Sequence, residues 1–265
     1  MTVLANSKVL FIGSGKGGVG KSTIAVNLAI ALAQQGLKIG LLDADIYGPS
    51  IPIMLGLRRL SPRIERDSLG NEMIIPFSKF GVQVISLGFF IEEARSIIWR
   101  GPMLHGTLKK MLENVSWGEL DLLLIDLPPG TGDVLLSLSQ LLNDTAALIV
   151  CTPQEVAMLD AIKAINAFDQ LDIPVWGIVE NMAGFEVPET KQVFHIFGQG
   201  KAHELANRFH TEVMKSIPLI STIREGGDKG SPCALHSTDQ AGKLFQDLAS
   251  LLIQRRLQPV ANPFL

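Results

Sequence analysis

Eight residues, Gly15-Lys16-Gly17-Gly18-Val19-Gly20-Lys21-Ser22, carry the spacing G-x-x-x-x-G-K-[ST] of a phosphate-binding loop. In such a loop glycines let consecutive backbone N–H groups turn inward around α- and β-phosphates. Lys21 reaches the β- and γ-phosphates, and the Ser22 hydroxyl is a ligand for Mg²⁺. Thr23, next in the chain, completes the nucleotide-binding set. Lys16 is a second cation that the ordinary motif does not require.

Three carboxylates are candidates to work with this loop. The run Leu120-Asp121-Leu122-Leu123-Leu124-Ile125-Asp126 is an apolar strand ending in an acid, which puts Asp126 where Mg²⁺ sits in phosphate-loop proteins. Asp133 suits the cap of a following helix better. Between them, Leu127-Pro128-Pro129-Gly130 is a stiff turn whose Gly130 N–H is placed to sense a γ-phosphate, as a nucleotide-dependent switch does. Asp43 and Asp45 follow another apolar strand, and strand alternation sends both side chains to one side. Solvation at the surface competes with function for this pair. We favour orientation of the attacking water by Asp45 and support of Mg²⁺ or switch geometry by Asp43. Lys16, Lys21 and Asp45 are therefore the catalytic candidates; Ser22 and Asp126, with Asp43 in support, are the metal candidates.

Strands must deliver these groups, because α/β folds place chemistry at the C-terminal edge of a parallel sheet. Strands are expected at Lys8–Gly13, Leu37–Leu42, Val82–Leu87, Leu120–Ile125, Ala146–Cys151, Val175–Val179 and Glu212–Ile217. Helices are expected at Ser22–Gln35 and at about 102–114, 133–142, 154–170, 200–210 and 239–256. Such apolar strands alternating with helices predict an α/β fold: one phosphate-loop domain over 1–265, its mostly parallel sheet covered by helices on both faces. Arg58 to Pro76 reads as an irregular insertion or small hairpin. The last helix, with Ala241, Leu244, Phe245, Leu248, Leu251 and Leu252, reads as core packing, since a membrane-surface helix carries a Lys/Arg-rich polar face.

With 265 residues, 47% hydrophobic content and a net charge of -3, the chain has no global positive field for nucleic acid or an anionic membrane. Neither a signal peptide nor a membrane span is legible, so a cytoplasmic location is expected.

The chain closely resembles the Mrp/ApbC family of iron–sulfur cluster carrier ATPases, within the deviant-Walker group that includes MinD, ParA and the nitrogenase iron protein. Beyond the loop, the resemblance rests on residues 42–52 (Leu-Asp-Ala-Asp-Ile-Tyr-Gly-Pro-Ser-Ile-Pro), Trp99-Arg100-Gly101-Pro102-Met103, residues 125–133, Gly177-Ile178-Val179-Glu180-Asn181-Met182 and His195-Ile196-Phe197-Gly198. It implies a slow ATP hydrolase that uses Mg²⁺, pairs as a nucleotide-sandwich homodimer and acts in iron–sulfur cluster assembly or transfer, with an acceptor or assembly protein as partner. It further implies that Lys16 reaches the partner's nucleotide, Asp45 positions the hydrolytic water and Asn181 contacts adenine. The resemblance breaks at one loop. Family members usually carry a C-x-x-C pair shortly after Glu-Asn-Met, and Val187 and Thr190 stand at those places, neither able to give iron a thiolate. Cys151 reads as an inert core residue, Cys233 as a lone loop thiol, and His195 and His203 as hydrogen-bonded structural groups rather than ligands. Two rival readings are a nucleotide-switched adaptor that has given up the cluster and a MinD- or ParA-like positioning ATPase.

Overall fold

The computed structural model describes residues 7–90, 101–130, 132–187, 189–190 and 192–257. In chain order the elements are β1 (Lys8–Gly13), α1 (Lys21–Gln34), β2 (Ile39–Asp43), α2 (Ile51–Met54), β3 (Arg63–Arg66), β4 (Glu72–Ile75), β5 (Phe77–Lys79) and β6 (Val82–Ser86). They continue with α3 (Gly101–Glu113), β7 (Leu122–Asp126), α4 (Asp133–Leu141), β8 (Thr145–Cys151), α5 (Glu155–Asp169), β9 (Val175–Glu186) and β10 (Val193–Phe194). The last are α6 (Lys201–Arg208), β11 (Val213–Leu219), α7 (Ser221–Asp228) and α8 (Gln240–Leu252).

The main sheet runs β10-β9-β8-β1-β7-β2-β6-β5, with β11 also on β9. Its inner pairs are all parallel, and only β5 on β6 and β10 on β9 run antiparallel. Alternation along β1 shows why these strands read as unbroken apolar runs: Leu10 and Ile12 pack on the face covered by α1 and α8, Val9 and Phe11 on the face covered by α3, α4, α5 and α6. The central strands β1, β2, β7 and β8 are buried on both sides, so nearly every position in them is selected for apolarity. β1 lies between β7 and β8, which aims the loops after all three strands at one edge.

The segment expected to be irregular at 58–76 contains a hairpin, β3 pairing with β4. Asp67 closes its turn, Oδ1 accepting from the N–H groups of Leu69 and Asn71, both at 2.8 Å. The structure extends β9 to Glu186, seven residues beyond the expected end at Val179, because the polar Glu180 and Asn181 remain in the ladder, paired with Ser216 and Ile217 of β11. Trp99 and Arg100 of the Trp-Arg-Gly-Pro segment lie outside the described residues. Among the described residues no helix is long and apolar enough to cross a membrane.

Candidate functional site

The loop after β1 is seated by contacts that only glycine permits. A Cβ on Gly15 would lie 2.0 Å from the carbonyl carbon of Asp160, so the loop backbone rests directly on the backbone of α5. Gly20, at φ +87°, precedes α1 in the left-handed region, where L side chains are strained. No side chain caps α1, and its first turn contains no acid. The N-terminal N–H groups and the positive helix end therefore remain available to an anion. We expect Gly15→Ala to unseat the loop at a cost of about 4 kcal/mol, lowering the melting temperature by about 10 °C in calorimetry. An unchanged melting point would contradict this packing.

Lys21 is buried and lies 2.7 Å from Asp126 Oδ1 and 3.6 Å from Asp45 Oδ2. One ammonium thus ties together the ends of β7 and β2, strands whose last residues, Asp126 and Asp43, are register partners. Burial raises the Asp126 carboxyl above its usual range, with the Lys21 ammonium acting the other way. Its other oxygen, Oδ2, is buried without a hydrogen-bond partner, and the nearby Ser22 hydroxyl, 3.4 Å from Lys21 Nζ, also acts to hold the carboxyl down. An orphaned carboxylate oxygen beside a hydroxyl is a hard oxygen donor set that suits Mg²⁺. Among the described residues no group of three His, Cys, Asp or Glu side chains could hold a metal ion. Mg²⁺ commonly takes one or two protein ligands and completes its shell with phosphate and water, so a serine hydroxyl and one carboxylate oxygen suffice.

Asp43 and Asp45 are not an equivalent pair. Asp43 is fully buried and both its oxygens are used: Oδ1 accepts from Asp45 N at 3.2 Å, and Oδ2 accepts from Ser86 Oγ at 2.9 Å and Ile51 N at 3.3 Å. Burial, and next the charge of Asp126, push its carboxyl up to about 8. It is a staple joining β2, β6 and the turn before α2. Asp45 is held differently, Oδ1 accepting from Tyr47 N and Gly48 N at 3.2 Å each. That leaves Oδ2 toward Lys21, on the wall of the cavity both residues line.

Two adjoining cavities run from these groups across the loop. The first, about 230 Å³, is lined by Lys16, Gly18, Lys21, Ser22, Asp45 and Pro129 among others. The second, about 490 Å³, has apolar walls from Ile53, Met54, Leu219, Ile220 and Ile223, with Asn181 beside them. Gly18, Gly20, Thr23, Ser50 and Met54 line both, making one cleft with a cationic end and an apolar end. Asn181 Nδ2 donates to Val19 O at 2.8 Å, so this residue also ties the loop to β9. The Gly130 N–H donates to Ser14 O at 2.9 Å, already committed in this state to the loop it was expected to sense through. Lys16 Nζ lies 3.0 Å from Gln154 Oε1, and the backbone of Val19 packs inside the loop with its side chain buried.

Residues 5–253 of the chain match the model of the ParA family, described as NUBPL iron-transfer P-loop NTPase. The chain belongs to that family. An iron–sulfur cluster carrier protein of Aquifex aeolicus is 47% identical over 248 residues, 93% of this chain and 67% of that protein. The mouse iron–sulfur cluster transfer protein NUBPL is 43% identical over 255 residues, 94% of this chain and 77% of that one. Among solved structures, a nucleotide-binding protein of Archaeoglobus fulgidus in complex with ADP superposes with a TM-score of 0.71 at 39% identity, covering 84% of this chain and 86% of that one. The MinC:MinD complex of Aquifex aeolicus gives 0.67 at 20% identity over 96% and 98%, a likeness of fold alone. The α/β fold of this NUBPL-family chain is thus that of a P-loop NTPase.

Cys151 and Cys233 are both buried, and burial pushes both thiols up to about 12. Cys233 stands in a short 3₁₀ turn, Cys233–Leu235, where its thiol donates to Asn27 Oδ1, rather than in an open loop. His195 is exposed, with Nδ1 3.1 Å from Ala183 O, and His203 is exposed on α6. Two site residues escaped the sequence. Ser86 had a signal, being a polar residue that ends an apolar strand as Asp43 and Asp126 do. Gln154 had none.

Proposed function

We propose that this chain binds and hydrolyses ATP with Mg²⁺, pairs around the nucleotide through Lys16, and serves iron–sulfur cluster assembly or transfer. The observation that carries the nucleotide half is Lys21, buried between two carboxylates at the closed end of a cleft whose loop N–H groups are uncapped. Phosphates fit that end. An adenine ring fits the apolar end, where the Asn181 amide, its Nδ2 held by Val19 O, presents Oδ1 as an acceptor for an exocyclic amine.

Ser22 and Asp126 would hold Mg²⁺, which would supply charge neutralisation to the phosphate oxygens. Every other contribution comes from the chain. Lys21 exchanges its carboxylate partners for the β- and γ-phosphates. The loop N–H groups fix the phosphates in line for attack. Asp45 Oδ2 accepts a hydrogen bond from the attacking water and orients it. Lys16 of a second copy adds positive charge where negative charge spreads in the transition state.

Pairing is supported by the rim of the site. Val156 and Leu159 of α5 are 66% and 59% exposed, next to Gln154 and Lys16, and Leu136 of α4 is exposed beyond Pro129. At the end of β10 and just after it, Phe194 and Ile196 are exposed as well. A second copy over this rim would remove apolar surface from water while delivering Lys16.

The cluster half draws on what the relatives are called, and this chain's own residues limit it. Two buried, protonated thiols and a Val187–Thr190 loop without a thiolate do not make a standard four-iron site. This favours, as a second reading, a nucleotide-switched partner protein that acts beside cluster assembly without carrying the cluster. Anaerobic reconstitution with iron and sulfide, followed by absorbance and iron counting, separates the two. We expect the wild type to stay colourless and Val187→Cys with Thr190→Cys to gain a brown, oxygen-sensitive chromophore. Stoichiometric uptake by the wild type, unaffected by Cys233→Ser, would overturn the second reading.

A further inference from the structure

Lys16 has a specific resting place. Its ammonium donates to Gln154 Oε1 at 3.0 Å, and Gln154 is the residue that begins α5. The amide does not cap its own helix, although a polar side chain at that position ordinarily would. The acceptor is neutral. The nearest acid in sequence, Glu155, lies 3.7 Å from Lys201, and Asp160, a turn further on, lies 3.2 Å from Lys163. A cation at this spot also faces the positive end of the α5 dipole, an unfavourable place for it.

These facts describe a contact strong enough to define where the lysine points and weak enough to give up. A bond from an ammonium to a neutral amide lacks the charge–charge attraction that a phosphate acceptor adds. We propose that Gln154 is a positioning residue that parks Lys16 against its own subunit and releases it when a second copy brings an anionic phosphate within reach. The neutrality of residue 154 then sets how readily the chain pairs. This inference rests on the reading that Lys16 acts across the interface.

The sign of two substitutions tests it. Gln154→Glu replaces a neutral acceptor by a carboxylate and should hold the ammonium fast. Gln154→Ala removes the acceptor. In nucleotide-free protein, trace acetylation of Lys16, measured by mass spectrometry against the exposed Lys229 in the same sample, should order as Gln154→Ala, then wild type, then Gln154→Glu. With Mg²⁺ and a non-hydrolysable ATP analogue, Gln154→Glu should pair about tenfold more weakly than wild type. Salt at about 0.5 M should recover part of that loss, because screening weakens an ion pair more than a neutral contact. Gln154→Ala should pair at least as tightly as wild type, which separates parking from a merely structural role. Equal Lys16 reactivity in all three proteins would overturn the proposal. So would Gln154→Glu pairing as wild type does while Lys16→Ala fails to pair. If wild type itself stays monomeric, the cross-interface reading fails and release fails with it, while the labelling order still decides the contact.

Discussion

Lys21→Ala should weaken ATP binding by at least about 100-fold, roughly 2.8 kcal/mol, while Lys16→Ala should bind ATP within a few-fold of wild type and fail to pair and hydrolyse. The difference follows from where each ammonium sits. Lys21 is buried at the closed end of its own cleft, 2.7 Å from Asp126, and among the described residues no other cation is bonded to that carboxylate. Its removal deletes the phosphate contact and leaves a buried carboxylate without its counter-charge, a loss of about 3–5 kcal/mol in stability. Lys16 is half-buried at the rim on a neutral partner, so the fold does not depend on it. Titration calorimetry with Mg-ATP and a thermal melt on both variants check this. Tight ATP binding by Lys21→Ala would show that the loop does not hold phosphate in the manner described.

Asp45→Ala should lower the single-turnover rate of hydrolysis by about 10²–10³-fold and leave the ATP-bound pair intact. Beyond the two backbone N–H bonds from Tyr47 and Gly48, the Asp45 side chain is held by the ion pair of its Oδ2 with Lys21 at 3.6 Å, a contact that Lys21 gives up to phosphate. The loss therefore falls on the chemical step more than on ground-state binding. Asp126→Ala should behave differently, losing the Mg²⁺ dependence of affinity, because the orphaned Oδ2 that would face the ion disappears. Equal hydrolysis by wild type and Asp45→Ala would remove Asp45 from the mechanism.

The sequence made most of the sheet legible because parallel strands buried on both faces leave a signature that survives without context, as in Val9 to Ile12 and Leu122 to Ile125. The loop was legible because glycine is required at several of its positions, Gly15 by the backbone of α5 and Gly18 and Gly20 by their left-handed backbones. The end of β9 was hidden because buried Glu180 and Asn181 look like a loop unless their partners on β11 are known. Helix α7 was hidden because eight residues with Gly226 and Gly227 and no buried position carry no apolar period. Asp43 shows what local reasoning leaves out: alternation set it beside Asp45, and its bonds from Ser86, 43 residues away, and from Ile51 N become visible only in the fold. Gln154 lies 138 residues from Lys16, and nothing in a one-dimensional pattern pairs them.

The account turns on ATP-dependent pairing through Lys16. Sedimentation velocity with Mg²⁺ and a non-hydrolysable ATP analogue tests it most directly: the wild type should shift from monomer to dimer and Lys16→Ala should remain a monomer, whereas a wild type that stays monomeric under saturating analogue would contradict it.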